Sequence, residues 1–364
     1  MKIAQIAPII ERVPPKKYGG TERVIHALTE ELVKRGHDVT LFATEDSLTS
    51  ANLQGTVTQG LREANVTDGY TKNGFIFSHI GEAYGRADEF DIIHDHVGAM
   101  SLATAHSSHK PVVMTLHGAF ADHNRKLFEQ LNHPYFVTIS DAQAKTAPKI
   151  HRMGTIYNGL EMQDYPFRAK HDNYLLYVGR VTPLKGTHLA VQLAHQLKTP
   201  LKIAAKLEPE NLDYFNQEIA PYLSDSIQWI GEVNEAERNR LMSQAKCFLH
   251  PATWEEPFGL TLIEAMACGC PVVALNHGSI PEVIEQGKTG FVVDDLDQMK
   301  QAVLNIDQID RFYCRAYALN KFPASNMADK YEYLYYLILN QNASQKATSI
   351  NYQDQMRPLL SLEI

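Results

Sequence analysis

Two glutamates eight residues apart, Glu256 and Glu264, stand in the stretch "WEEPFGLTLIEAMACGCPVVA" (254–274), with Pro257, Phe258 and Gly259 between them. A carboxylate accepts two hydrogen bonds from a vicinal diol, and ribose and hexoses both carry diols. The segment reads as a loop over 251–258 and a helix from about 259 to 268. A helix start offers free N–H groups and the positive end of the macrodipole, so it attracts phosphate. Gly259 lets a ligand approach that backbone closely. A nucleotide-diphosphate sugar would use every part of this arrangement: phosphates at the helix start and one sugar on each carboxylate. The spacing fits equally an exposed Glu256 and a Glu264 on the helix surface. Leu260, Ile263 and Ala267 form the face expected to pack on a sheet, with Glu264 one position round from it.

A second stretch, "YVGRVTPLKGTHLAVQL" (177–193), supplies cations. A strand ending at Gly179 is followed by a loop holding Arg180 and Lys185, then a helix from about 186 whose buried face would be Leu189, Leu193 and Leu197. Arg forks onto phosphate oxygens and Lys adds a point charge. Two solvated surface cations would look the same. The loop is not a Walker A motif, because Leu184 stands where the glycine before the lysine belongs. In "KKYGGTERV" (16–24), Gly19 and Gly20 precede a helix and make either a backbone site for an anion or hydroxyl or a plain turn. His117, in "TLHGA", lies at a strand's carboxyl end, where a structural histidine is as easily placed as a cleft one. In "IIHDHVG" (92–98), strand alternation sets His94 and His96 on one face and Asp95 on the other. No third ligand cluster accompanies them, which argues against a metal.

These residues need sheets to position them. Short apolar runs at 2–7, 38–43, 91–96, 111–117 and 135–140 alternate with helical patterns in the first half. The clearest helix is 21–35, with Val24, Leu28 and Leu32 on one face and Gly36 as its stop. The rhythm resumes with strands at 174–180, 201–205, 227–231, 246–251 and 271–275. Such strands, separated by helices, imply parallel sheets covered on both faces. The polar, aperiodic stretch 157–173 marks the boundary between two α/β, Rossmann-like, doubly wound domains. A cleft between their strands' carboxyl ends is the expected binding edge. The aromatic-rich stretch 329–340 reads as a core-packing helix rather than a membrane-surface one.

Composition narrows the function classes. The 364 residues are 44% hydrophobic and carry a formal net charge of -8, so no broad basic surface points to nucleic acid or an anionic membrane. The N-terminus does not read as a signal peptide, and no apolar run is long enough to span a bilayer. Four cysteines without a CxxC pair, Cys247, Cys268, Cys270 and Cys314, suit buried thiols in a reducing cytoplasm.

Taken together and in this order, the motifs resemble the retaining glycosyltransferases of family 4, over roughly residues 1–340. The match rests on the Glu-x7-Glu element, "GSIPEVIEQGKTGFVV" (278–293), "VGRVTPLKG" and "GGTERVIHALTEELVKRGHDVTLF". The resemblance is nearest to the branch that includes avilamycin-type and tetrahydrobiopterin glucosyltransferases. It implies a GT-B fold with an acceptor domain at 1–160, a donor domain at 161–340 and a tail at 341–364, with either 325–340 or that tail crossing back to the first domain. It implies that Arg180 and Lys185 neutralise the leaving diphosphate, helped by Lys206. Glu264 would hold the ribose and Glu256 the donor hexose. The backbones of Gly179, Phe258, Gly259 and Leu260 would line the donor site. His117 would face the donor sugar, Gly19 and Gly20 would approach the phosphate or the acceptor from the first domain, and Asp95 would serve the acceptor side. The reaction implied is hexose transfer from UDP-glucose, or secondarily GDP-mannose, to a sugar, lipid or small-molecule hydroxyl, without metal or other cofactor. Base choice would rest on the backbone near 230–233, and loop 44–75 would shape the acceptor site. A sugar-nucleotide epimerase or phosphorylase on the same fold, and a non-catalytic sugar-nucleotide-binding protein, are the rival readings.

Overall fold

The computed structural model describes residues 1–360, and the side chains of residues 1–344. Two all-parallel sheets form in succession along the chain. The first holds β1 (Lys2–Ile6), β2 (Asp38–Ala43), β3 (Asn52–Gly55), β4 (Ile92–Asp95), β5 (Val112–Leu116), β6 (Tyr135–Thr138) and β7 (Arg152–Thr155). Their order is β3-β2-β1-β4-β5-β6-β7. The second holds β8 (Leu175–Arg180), β9 (Leu201–Lys206), β10 (Ile227–Trp229), β11 (Cys247–His250), β12 (Val272–Leu275) and β13 (Gly290–Val293), in the order β10-β9-β8-β11-β12-β13. The chain reverses direction across each sheet between β1 and β4 and between β8 and β11, the switch points at which such sheets bind ligands.

The central strands are buried on both faces and read as continuous apolar runs, so the sequence placed them well. β3, β7 and β13 lie at or near sheet edges and were not expected. β3 (Asn-Leu-Gln-Gly) and β7 (Arg-Met-Gly-Thr) are the two end strands of the first sheet, each paired on one side only, and neither is fully buried or carries an apolar run. Segment 44–75, expected as one loop, contains β3 and the start of the helix Gly69–Gly85. The helix Gly20–Lys34 buries Val24, Leu28 and Leu32 as its pattern predicts, and Gly36 follows its end with φ 83°.

The helix Leu260–Ala267 departs from the single-face expectation. Leu262, Ile263, Glu264, Ala265, Met266 and Ala267 are all buried. The helix Arg311–Lys321 covers the side away from the sheet, and Arg315 donates to the carbonyl of Ala267 at 2.7 Å. In the helix Thr187–Leu197 the buried face is Thr187, Ala190, Val191, Leu193 and Ala194, and Leu189 and Leu197 stand at its margin.

The long helix Ala324–Leu360 returns from the second sheet to the first. Tyr331, Leu334, Tyr335 and Ile338 are buried. Arg35, at the end of Gly20–Lys34, pairs with Asp329 at 2.7 Å and with Glu332 at 2.8 Å. Residues 325–340 therefore make the crossing, 341–360 continue the helix, and 361–364 lie outside the described residues. All four cysteines are buried and free, and burial pushes the Cys270 and Cys314 thiols up to about 12. Among the described residues no helix is long and apolar enough to cross a membrane.

Candidate active site

The two sheets face each other across a cleft of about 270 Å³. Its floor is set by register. β8 pairs with β9 so that Arg180 lies opposite Lys206, which puts two cations side by side at the carboxyl edge. Lys185 follows in a single 3-10 turn, Pro183–Lys185, opened by the Thr182 hydroxyl and closed by Gly186 at φ 68°. A β-carbon on Gly186 would collide with the carbonyl oxygen of Pro251, so this glycine locks the lysine loop to the loop that carries Glu256.

Glu256 is almost fully buried and gathers donors on one oxygen. Its Oε2 accepts from Lys185 Nζ at 2.5 Å and from Trp254 Nε1 at 3.0 Å, and His250 Nε2 stands 3.6 Å away. Burial alone would raise this carboxyl, but His250 and Lys185 outweigh it and hold it down at about 2. The ammonium of Lys185 also lies 4.7 Å from the centre of the Trp254 ring. Gly278 secures the same loop from below, where a β-carbon would strike the Glu256 backbone.

Glu264 is likewise buried, and its Oε1 is shared by two arginines. Arg238 donates at 2.8 Å, and Arg23, from the other half of the protein, at 3.4 Å. Both arginines also reach Glu235, at 3.5 and 3.0 Å. Glu264 Oε2 has no hydrogen bond among the described residues, so it is left to accept. Arg180 forms no ion pair there either, and its buried Nε lacks a partner, while Tyr18 from the first half covers the guanidinium at 5.7 Å. A buried, unsatisfied guanidinium nitrogen is costly alone and is suited to an anion. Lys206 lines the cleft but is paired with Glu208 at 2.9 Å.

The helix begins where its sequence places it. Gly259 caps Leu260–Ala267 at φ 81°, where a β-carbon would press on Leu262. Phe258 turns its ring into an aromatic cluster with Tyr157 and Phe322 and contributes backbone to the lining. Gly179 lines the wall beside Arg180. From the first half come Gly19 and Gly20. A β-carbon on Gly20 would stand 3.1 Å from Leu260, so the two halves touch here through a glycine. Glu22 lies beneath the loop, close to where a Gly19 β-carbon would be, and burial lifts its carboxyl to about 7. Glu232 and Val233 line the far end, in the segment expected to meet a base.

His117 lines this cleft and also a more open neighbouring cavity of about 390 Å³ in the first half. Burial holds its imidazole down at about 4. Asp95 does not join it. The carboxylate is fully buried and accepts from Tyr84 Oη, Ser101 Oγ and the Val97 amide at 2.7–2.8 Å, tying down the turn after β4. The acceptor-side role for Asp95 is thus corrected: strand alternation turned it away from His94 and His96 and into the helices. Residues 44–75 line neither cavity, which corrects the expectation that they shape the acceptor site. Among the described residues no group of three or more His, Cys, Asp or Glu side chains is placed to hold a metal ion.

Several cleft residues escaped the sequence reading. Arg23, three positions after Gly20, was discoverable as a first-turn residue of a cleft-facing helix. Arg238, His250, Trp254, Tyr18 and the buried Asn158 also line the cleft, and no motif in the sequence marked them.

Known proteins share this organisation. A family model described as Glycosyl transferases group 1 matches residues 161–310, and one described as Glycosyltransferase Family 4 matches residues 18–161. The glycogen synthase of Mycobacterium tuberculosis is 26% identical over 332 residues, covering 76% of this chain and 79% of that protein. The crystal structure of AviGT4, a glycosyltransferase involved in avilamycin A biosynthesis, superposes with a TM-score of 0.70 at 21% identity, over 93% of this chain and 98% of that one. Anabaena Alr3699/HepE in complex with UDP-glucose gives 0.68 at 18% identity, over 95% and 100%. At these identities the structural likenesses speak for the fold.

Proposed function

Because the chain belongs to the family 4 glycosyltransferases and has their GT-B fold, we propose that it moves a hexose from a nucleotide-diphosphate sugar to an acceptor hydroxyl, with retention and without a divalent metal. UDP-glucose is the first choice of donor and GDP-mannose the second. The observation that carries this reading is the convergence of Arg180, Lys185, Glu256, Gly259 and Glu264 on one cleft, at a helix start and between the carboxyl edges of two sheets.

In this reading Arg180 and Lys185 take the diphosphate, together with the amides at Gly259 and Leu260. Glu264 Oε2 accepts from the ribose diol, while its other oxygen stays on Arg238. Glu256 holds hexose hydroxyls. The anomeric C–O bond to phosphate breaks, the acceptor oxygen bonds to the same carbon on the same face, and the acceptor's proton passes to a phosphate oxygen. Cations on the departing diphosphate stabilise the charge that develops there, the contribution that is usually largest in such transfers. The acceptor enters through the cavity shared by His117 and Thr21. That cavity is walled by Phe120, Phe128 and Asn124 and has no Lys, Arg, Asp or Glu in its lining, so the acceptor's entering part is uncharged.

Support for the donor comes from a structural neighbour that is itself a UDP-glucose complex. The test is calorimetry and thermal shift with UDP, GDP, ADP and their hexose conjugates, with and without EDTA. UDP and UDP-glucose should stabilise the protein in both conditions, and UDP-glucose should be slowly hydrolysed. Absence of any nucleotide response would reject the reading, and interconversion of the sugar without an acceptor would replace it with an epimerase.

A further inference from the structure

Behind His117 a chain of buried polar groups runs from the cleft to the returning helix Ala324–Leu360. Gln5 is the one polar residue in the buried part of strand β1, Ile3–Ile6, and the sheet register sets it beside His94 of β4. Gln5, His94, His96, Thr115, Tyr331 and Tyr335 are all buried. Gln5 Oε1 lies 2.8 Å from His96 Nε2, and His96 Nδ1 lies 3.0 Å from His117 Nε2. On the other side, Gln5 Nε2 points at Tyr335 Oη at 3.4 Å. That hydroxyl is 2.6 Å from His94 Nδ1. His94 Nε2 continues to Thr115 Oγ1 and Thr115 to the Tyr331 hydroxyl, each at 2.7 Å.

Proton counting gives this chain a direction. An amide oxygen only accepts, so His96 carries its hydrogen on Nε2. A neutral imidazole has one N–H, so His96 Nδ1 is bare and accepts, and His117 must then donate from Nε2. His117 Nδ1, which has no hydrogen bond among the described residues, is therefore left as an acceptor. Burial keeps all three rings neutral, since it lowers the basicity of His94, His96 and His117. Turning the Gln5 amide over would reverse every bond and make His117 Nδ1 a donor. The contact between Tyr335 and His94 decides between the two directions. At 2.6 Å it has the length of an O–H donor rather than an N–H donor, and a phenol is a far better acid than a neutral imidazole. Tyr335 therefore donates to His94, which leaves its lone pair to the Gln5 amide and fixes the Gln5 oxygen on His96.

We propose that Gln5 and His96 are positioning residues that hold His117 as the neutral Nε2–H tautomer, so that it offers its bare Nδ1 to a hydroxyl of the bound sugar; the last clause rests on the transferase reading above. This would give the site a directional preference. A sugar hydroxyl can donate to Nδ1, whereas an ether, a deoxy position or a carbonyl oxygen at the same place cannot. It would also make the returning helix part of the site's chemistry through Tyr335.

The tautomer can be read in the ligand-free protein. Protein labelled with ¹⁵N only at histidine would be examined by long-range ¹H–¹⁵N correlation at neutral pH, with His117→Gln to assign the signals. A pyrrole-like Nε2 and a pyridine-like Nδ1 at both His96 and His117 are expected. Gln5→Met keeps the chain length but removes both polar atoms, and Tyr335→Phe frees the Gln5 amide to turn. Each should move the two His117 nitrogens toward averaged values. An Nδ1–H tautomer, an averaged ring or an imidazolium at His117 in the wild type would overturn the proposal, with no variant needed. Because no substrate enters the measurement, that failure would leave the transferase reading standing, and loss of the transferase reading would leave the tautomer standing.

Discussion

Glu22→Gln should stabilise the protein above neutral pH and leave it almost unchanged near pH 5. Glu22 is buried beneath the Gly19–Gly20 loop, 6% exposed, and burial lifts its carboxyl from 4.5 to about 7. The folded state thus holds this proton more tightly than the unfolded chain does. Below about pH 4.5 both states are protonated and nothing is lost. Between 4.5 and 7 the unfolded chain releases the proton and the folded protein does not, so stability falls by roughly 1.4 kcal/mol per pH unit. Above 7 the loss levels off at about 3 kcal/mol, from a difference of about 2.5 units. Glutamine mimics the protonated acid at every pH and escapes the loss. Urea unfolding of the two proteins at pH 5 and pH 8 should therefore show a gain for Glu22→Gln of under about 1 kcal/mol at the first and about 3 kcal/mol at the second. The same charging places an anion under the Gly19–Gly20 loop, which lines the cleft proposed to hold the diphosphate, so UDP binding to the wild type should weaken above pH 7 more than binding to the variant. A stability difference independent of pH, or one that shrinks as pH rises, would refute the argument.

Lys185→Met should lower turnover of UDP-glucose by about 10²- to 10³-fold while changing UDP affinity far less, since Arg180 remains. Glu264→Ala should do the reverse, weakening UDP binding by at least about tenfold in calorimetry, because the ribose loses a charged acceptor. Equal losses in both parameters for both variants would remove the separate roles. EDTA should leave turnover unchanged, and a loss restored by Mg²⁺ or Mn²⁺ would contradict metal-free transfer. Gly186→Ala should destabilise the fold by at least about 2 kcal/mol in urea, because its β-carbon would meet the Pro251 carbonyl and the residue keeps a positive φ.

What the sequence disclosed and what it concealed divide along a physical line. Buried parallel strands have a local signature, and so does a glycine that starts a helix. β1, β2, β4, β5, β6, β8, β9, β11 and β12 and the Gly259 turn were readable for that reason. The edge strands β3 and β7 were not, because strand pairing rather than composition defines them. The carboxylates themselves were visible, but their partners were not. Glu264 is held by Arg23, 241 residues earlier, and by Arg238, 26 residues earlier. Such pairs exist only once two sheets face each other. Asp95 shows the same limit from the other side. Its alternation with His94 and His96 was predicted correctly, yet a sequence does not say which face of a doubly covered strand meets the ligand. Gln5 was a clue in plain view, since a lone amide within a buried strand must find buried partners.

The partners hidden from the sequence also bear on how the cleft works. Arg23 of the first half bridges to Glu264 and Glu235 of the second, and the Tyr18 amide donates to Glu232 at 3.2 Å. Elsewhere between the halves, the amides of Asp141 and Ala142 donate to Glu282 at 2.8 and 2.6 Å. The two halves are thus drawn together by carboxylates of the second half and donors of the first. Within the second half, Lys185 is engaged by Glu256 and needs no counterion from solution. A diphosphate entering this site adds negative charge where the carboxylates already have partners. It must either share Lys185 with Glu256 or release it, and Arg180, with no ion pair among the described residues, is the cation free to receive the phosphates first. A donor bound in that order would reach Arg180 before it disturbs the Lys185–Glu256 pair. The break of that pair would then coincide with the seating of the hexose on Glu256, so that the lysine turns to the leaving group only when the sugar is in place. In this arrangement Glu256 restrains the catalytic cation as well as binding sugar, and Glu256→Gln should raise affinity for UDP alone while lowering turnover of UDP-glucose. If the variant instead lost affinity for UDP, Glu256 would not be competing with phosphate for Lys185, and the proposed order of binding would fail.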